Sequence, residues 1–163
     1  MTAPARPFVL NDNEIVAVAP PTPLVRRKKL AIGVLQADRS GIPVRVTSLE
    51  RTLVDVLDRP DLGGGWEEIW RSLESVEFFD IDKVVEYTKL LDNATTAAKV
   101  GFYLQQHKEP LMIDDAVLKR LRRGRPRQPV YMDRKHGGPS KLVTDWNLIV
   151  PQQIIDRAWG EVA

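Results

Sequence analysis

Nine lysines and arginines fall between Leu118 and Lys141, against one acid, Asp133: Lys119, Arg120, Arg122, Arg123, Arg125, Arg127, Arg134, Lys135 and Lys141. The whole chain carries a formal charge of only +2, so the remainder is net acidic. A guanidinium presents paired donors to phosphate or carboxylate, and a cluster of them is chemistry for holding an anion. Charge asymmetry of this kind points to nucleic acid or to an acidic protein surface. A second basic run is Arg26, Arg27, Lys28 and Lys29. The plainer reading of both runs is a solvated face on a polar loop. Tyr131 lies just past the larger cluster, placed either to stack on a base or to pack in the core.

Other reactive residue types are present without the spacing that catalysis needs. The chain has no cysteine, which excludes disulfides, thiolate catalysis and cysteine-based zinc sites, and fits a cytosolic protein. His107 and His136 are far apart and lack ligand spacing, so no metal is expected. Ser48 and Ser140 lack a Gly-x-Ser-x-Gly setting. The carboxylate pairs Glu67–Glu68 and Asp114–Asp115 stand where helices should begin, a position that favours negative charge for dipole reasons alone. Leu62-Gly-Gly-Gly-Trp66 precedes a helix start but is not a nucleotide loop, and the two acids after it would repel an anion. The chain reads as a non-enzyme that needs no cofactor.

Positioning these residues falls to elements that the hydrophobic period marks out. The first 46 residues read as strands: Glu14 to Ala19, ended by prolines; Lys29 to Leu35; and Pro43 to Thr47, the last two joined by a turn at Asp38–Gly41. From Thr47 the period lengthens to that of a helix. Thr47 and Glu50 form an expected capping box, with Leu49, Leu53, Val56 and Leu57 as one apolar stripe and Pro60 as the stop. Trp66, Ile69, Trp70 and Leu73 define a second helix. A third starts at Asp80, with Ile81, Val84, Val85 and Leu91 inward. A fourth runs from about Ala94 to His107, where Ala97, Ala98 and Gly101 permit close approach of a neighbouring helix. A fifth covers Asp115 to Arg123. Val130 to Met132 and Leu142 to Val150 read as a strand pair, followed by a helix from Gln152 to Trp159. The expected fold is α+β: an N-terminal β layer over residues 1–46, then over 47–163 a central array of four to five helices with a C-terminal strand pair and short helix. Met1 to Leu10 contain no apolar run, and no segment has the roughly 18–20 apolar residues of a membrane span, so neither a signal peptide nor membrane insertion is expected.

Val46-Thr-Ser-Leu-Glu-Arg-Thr-Leu-Val-Asp55 resembles the signature of AbiEi-family antitoxins, the regulator partners of type IV toxin–antitoxin systems. The match continues in Arg59 to Gly64, Trp66 to Trp70, Ala94 to Leu104 and Trp146 to Pro151, in the same order, over most of the chain. The residues carried over as the family motif are Glu50, Arg51, Thr52, Asp55, Gly63, Gly64, Lys99 and Gly101. The resemblance implies a cytoplasmic protein of phage defence by abortive infection. Its C-terminal domain counteracts a nucleotidyltransferase-like toxin, while an N-terminal winged helix-turn-helix autorepresses the operon. The chain departs from that pattern in its first 46 residues, which read as strands, so the DNA-binding head is expected to be missing. The partner implied is the cognate toxin. The alternative is a nucleic-acid-binding accessory protein that uses the same basic patch. An enzyme acting on the toxin is the weakest reading, because no nucleotide site is visible.

Arg51 and Asp55 stand four apart, as do Asp55 and Arg59, which puts them on one helix face. Three roles fit: an exposed ion-pair ladder, a tie from Arg51 to the first sheet, or part of a toxin-facing surface. The Arg cluster is read as free of structural duty, so replacing Arg122, Arg123, Arg125 and Arg127 by Ala should abolish partner binding and leave the thermal midpoint nearly unchanged.

Overall fold

The computed structural model describes residues 6–159. They divide into two compact units that part between Ala31 and Ile32. The hairpin expected in the N-terminal lobe therefore belongs with the helices instead.

In the first unit β1 (Phe8–Leu10) pairs antiparallel with β2 (Asn13–Ile15), Phe8 opposite Ile15. The turn uses Asn11 and Asp12 at φ +48° and +63°, residue types that tolerate left-handed backbone. The strand expected over Glu14 to Ala19 ends at Ile15, because its three-residue partner offers no further backbone to pair with. Thr22 and Pro23, expected to follow a strand as a breaker, open α1 (Thr22–Arg26), where the fixed φ of proline suits the first turn.

The second unit is α+β and begins with the hairpin β3 (Val34–Arg39) and β4 (Ile42–Thr47). Asp38 Oδ1 accepts the Gly41 amide at 2.9 Å, which fixes the tight turn. The strand expected from Lys29 begins only at Val34, since Gly33 at φ +62° breaks the extended run. Helix α2 (Leu49–Asp58) is capped by Ser48, not by the box expected at Thr47 and Glu50. Ser48 Oγ accepts the Arg51 amide, Thr47 Oγ1 pairs with Thr52 Oγ1 at 2.7 Å, and Glu50 turns away to accept the Asp80 amide at 3.1 Å. Leu53, Val54 and Leu57 are buried on α2, whereas Leu49 is exposed and Val56 half-buried.

A 3-10 turn at Pro60–Leu62 leads into α3 (Trp66–Glu74), which buries Trp66, Ile69, Trp70 and Leu73 as their spacing requires. Helices α4 (Ile81–Leu91), α5 (Ala94–Gln106) and α6 (Asp115–Arg122) are capped by Asp80, Asn93 and Asp114. Every residue from Thr96 to Leu104 is buried, so α5 has no solvent face over that stretch and must be covered on all sides. Helices α2, α4 and α6 cover part of it.

The rest of the cover is a three-stranded sheet. The run Leu142 to Val150 is not one strand. Thr144 to Asn147 form a turn, with Asn147 at φ +49°, and split it into β6 (Ser140–Val143) and β7 (Leu148–Pro151). Strand β5 (Val130–Tyr131) pairs parallel to β7, giving the order β5-β7-β6. Strand β7 is therefore central, which explains the burial of Leu148, Val150 and Pro151. Helix α7 (Gln152–Asp156) ends before Trp159, with Arg157 left-handed at its C-cap.

The turn that splits β6 from β7 delivers Trp146 to α5. A Cβ placed on Gly101 would lie 2.1 Å from Trp146 Cζ3, so glycine here admits an indole rather than the neighbouring helix that its spacing suggested. Trp146 Nε1 donates to Gln105 Oε1 at 2.6 Å, which satisfies the ring's polar edge. Trp70, fully buried, lies edge-on to Tyr103 at 5.3 Å and 80° and donates to Gln106 Oε1 at 2.8 Å. Among the described residues no helix is long and apolar enough to cross a membrane. Gly101→Ala forces the indole to move and is expected to cost about 3 kcal/mol, the upper end for overpacking, read as a lower denaturant midpoint at unchanged slope.

Candidate partner-binding surface

Helix α6 places the main basic cluster, and Asp145 divides it. Arg122 Nη2 donates to Asp145 Oδ2 at 3.2 Å, and its guanidinium lies 5.3 Å over the Trp146 ring. Arg125 Nη1 donates to the Asp145 carbonyl, and Gln105 Nε2 reaches Asp145 Oδ2 from α5 at 3.2 Å. Arg122 and Arg125 thus clamp the turn that carries Trp146. The expectation that all four arginines are free of structural duty is corrected for these two. Arg120 pairs with Asp82 of α4 at 2.7 Å, an exposed bridge of modest worth. Lys119, Arg123 and Arg127 are exposed, with no ion pair or hydrogen bond to their side chains among the described residues. Arg26, Arg27, Lys28 and Lys29 are exposed at the end of α1 and just past it, in the other compact unit.

Of the Glu50–Gly101 motif residues, Lys99 and Gly101 are buried, Glu50, Arg51, Thr52, Asp55 and Gly63 half-buried, and Gly64 exposed. Arg51 Nη1 donates to the Ile32 carbonyl at 2.8 Å and Nε to Asp55 Oδ2 at 3.3 Å, and its guanidinium lies 5.3 Å from the centre of the Tyr87 ring. Tyr87 Oη closes the loop by donating to Asp55 Oδ1 at 2.7 Å. The Arg51 side chain is only 11% exposed, which excludes a solvated ladder and makes the pair a tie between α2, α4 and the lead into β3. Arg59 lies against Asp58, at 4.0 Å. Burial disfavours the Glu50 carboxylate, but the Asp80 amide helps to outweigh it and its pKa falls below the ordinary value. Thr52 and Gly63 also line the α2–α3 packing, where a Cβ on Gly63 would lie 2.8 Å from Ile69 Cγ1.

Gly64 sits at φ +83°, and a Cβ there would lie 2.0 Å from Glu68 Oε2. The chain's own carboxylate lies beside this glycine turn, where its charge disfavours a phosphate. Lys99 is the residue whose placement spacing did not foretell. It is 93% buried, with its ammonium 5.4 Å from the centre of the Trp66 ring. Desolvation lowers its pKa, while Asp58, Asp133 and Asp61 act in the opposite sense. Its position between Thr96 and Gly101 on an otherwise apolar helix was the available signal. His107 is buried, with Nδ1 2.8 Å from the Tyr103 carbonyl and Nε2 2.8 Å from Glu74 Oε1, and it stacks on the Tyr103 ring. Tyr131 is exposed. Among the described residues no three His, Asp or Glu side chains gather as a metal site.

No family model, curated protein or solved structure matches this chain.

Arg122→Ala is expected to lower stability by about 1–2 kcal/mol through loss of the ring contact and the ion pair. Arg123→Ala should fall within about 0.5 kcal/mol of the parent, and equilibrium unfolding of the two variants separates clamp from free surface.

Burial, then the hydrogen bond to Asp55, pushes the Tyr87 hydroxyl well above its ordinary pKa, and burial, then Glu74, does the same for Tyr103. Unfolded tyrosines ionise near pH 10, so above that the folded chain holds more protons than the unfolded one. The stability tied to these protons is complete below pH ~10 and is lost as pH rises beyond it. Lys99 has the opposite slope below the ordinary lysine value, so the informative comparison is between parent and Tyr87→Phe. The variant should lose about 1 kcal/mol near neutrality and then decline less steeply above pH ~10 in thermal melts.

Proposed function

We propose that this chain is the effector domain of an AbiEi-type antitoxin, acting in the cytoplasm within a type IV toxin–antitoxin system of phage defence. It neutralises a nucleotidyltransferase-like toxin by binding it, without catalysis, in a family whose members also repress their own operon. The observation that carries this reading is the ordered series of motifs from Val46 to Pro151, spread over most of the chain. The surface that suits the role is Lys119, Arg123 and Arg127, three cations held on the α6 end without internal partners. An acidic toxin face would meet them with little desolvation cost and fast, steered association. Arg26 to Lys29 supply a second basic patch for the same partner.

The test is to sequence the DNA flanking this reading frame and to co-express the chain with any nucleotidyltransferase-like product found there; absence of such a gene overturns the reading. Growth should be restored by the parent chain, and the triple variant Lys119→Glu, Arg123→Glu, Arg127→Glu should restore it at least tenfold less well at an unchanged thermal midpoint. Absence of rescue by the well-expressed parent overturns the reading.

A further inference from the structure

A groove of about 430 Å³ opens where the α4–α5 corner faces the end of α6. Lys89 from α4, and Arg120 and Arg123 from α6 and its C-cap, all line it, against one acid, Asp92. Arg120 is already matched by Asp82 outside the groove, whereas no acid or carbonyl engages the side chains of Lys89 and Arg123 among the described residues. Asn93 adds a further donor. Its Oδ1 accepts the Thr96 amide at 3.2 Å, which fixes the amide group, and Nδ2 has no partner among the described residues. The floor is apolar, formed by Ala94, Ala97 and Leu121.

Like charges drawn into one concavity repel, and here the unengaged groups are donors while acceptors are scarce. That arrangement favours an oxyanion, and guanidinium suits phosphate through paired hydrogen bonds. A volume of 430 Å³ lies within the ~300–1,000 Å³ of small-molecule sites, larger than phosphate alone fills. The apolar floor gives the remainder of such a ligand something to cover.

We infer that this groove binds a phosphate-bearing ligand of nucleotide size, its phosphate held by Lys89, Arg123 and Arg120 and its uncharged part laid over Ala97 and Leu121. The ligand is either a free nucleotide or one residue of a polynucleotide, since both present the same phosphate chemistry. The inference shares Arg123 with the proposed toxin-facing surface but does not rest on the antitoxin reading.

The test is calorimetric titration of the full chain with a nucleoside diphosphate and, separately, with a single-stranded oligonucleotide. The variants are Lys89→Glu with Arg120→Glu, the milder Lys89→Met, and Lys119→Glu, which carries a charge reversal on α6 outside the groove. Saturable 1:1 binding is expected, weakened at least tenfold by the double variant and several-fold by Lys89→Met, while Lys119→Glu stays within twofold. Thermal midpoints check that the variants fold. Binding of the diphosphate identifies a free nucleotide as the source. Binding of the oligonucleotide alone, with a salt slope near that of one or two phosphates, identifies a strand. No saturation with either probe, or equal weakening by Lys119→Glu, overturns the assignment. The double variant leaves Lys119, Arg123 and Arg127 in place, so it should still rescue growth, and failure of one proposal is separable from failure of the other.

Discussion

The indole of Trp146 lying on Gly101 is the contact on which the second unit depends. Helix α5 is buried from Thr96 to Leu104 and has no face that water could cover. Its glycine leaves a gap that only a flat, large ring fills, and the β6–β7 turn presents that ring. The turn is in its own right a short irregular stretch, held by Gln105 from α5, by Arg122 at the end of α6 and by Arg125 just past it. Two arginines of the basic cluster, Arg122 and Arg125, are consequently scaffold. Lys119, Arg123 and Arg127 are exposed and make no such contact among the described residues.

A second knot ties α2 to α4 and to the lead into β3. Arg51 contacts a carbonyl, a carboxylate and a ring face, and Tyr87 completes the circuit through Asp55. A planar guanidinium satisfies these partners together, which the ammonium of lysine cannot do from the same position. Breaking any one member leaves a part-buried charge or acceptor exposed to the full penalty of desolvation. Of the three roles that the Arg51–Asp55 spacing allowed, the structural tie is the one these contacts fit: the motif fastens elements together.

Helix α3 was readable from the Trp66–Leu73 spacing alone, and α4 and α6 because Asp80 and Asp114 cap them ahead of the apolar positions. Thr144 to Asn147 defeated the same method. Leu142-Val143 and Leu148-Ile149-Val150 are strand formers on both sides, and a tryptophan between them reads as a continuation. What breaks the run is a left-handed Asn147 and a tertiary partner on α5, neither visible in local pattern. The same holds for the basic cluster. Its charge was plain, but its division depends on Asp145, which stands well beyond α6 in sequence. In the α2 cap, three oxygen-bearing residues compete, and the competition is settled by Asp80, which draws Glu50 away.

The late position of Trp146 in the chain has a kinetic consequence. During synthesis α5 emerges well before the segment that closes over it, so its Gly101 face and the Trp70–Tyr103 cluster wait in water. Contacts of such sequence separation form slowly, and unclosed apolar surface is what draws partly made chains together. Protection from proteolysis and from self-association is therefore set late in translation, when residues through Ile154 have cleared the ribosome and β7 can slot between β5 and β6.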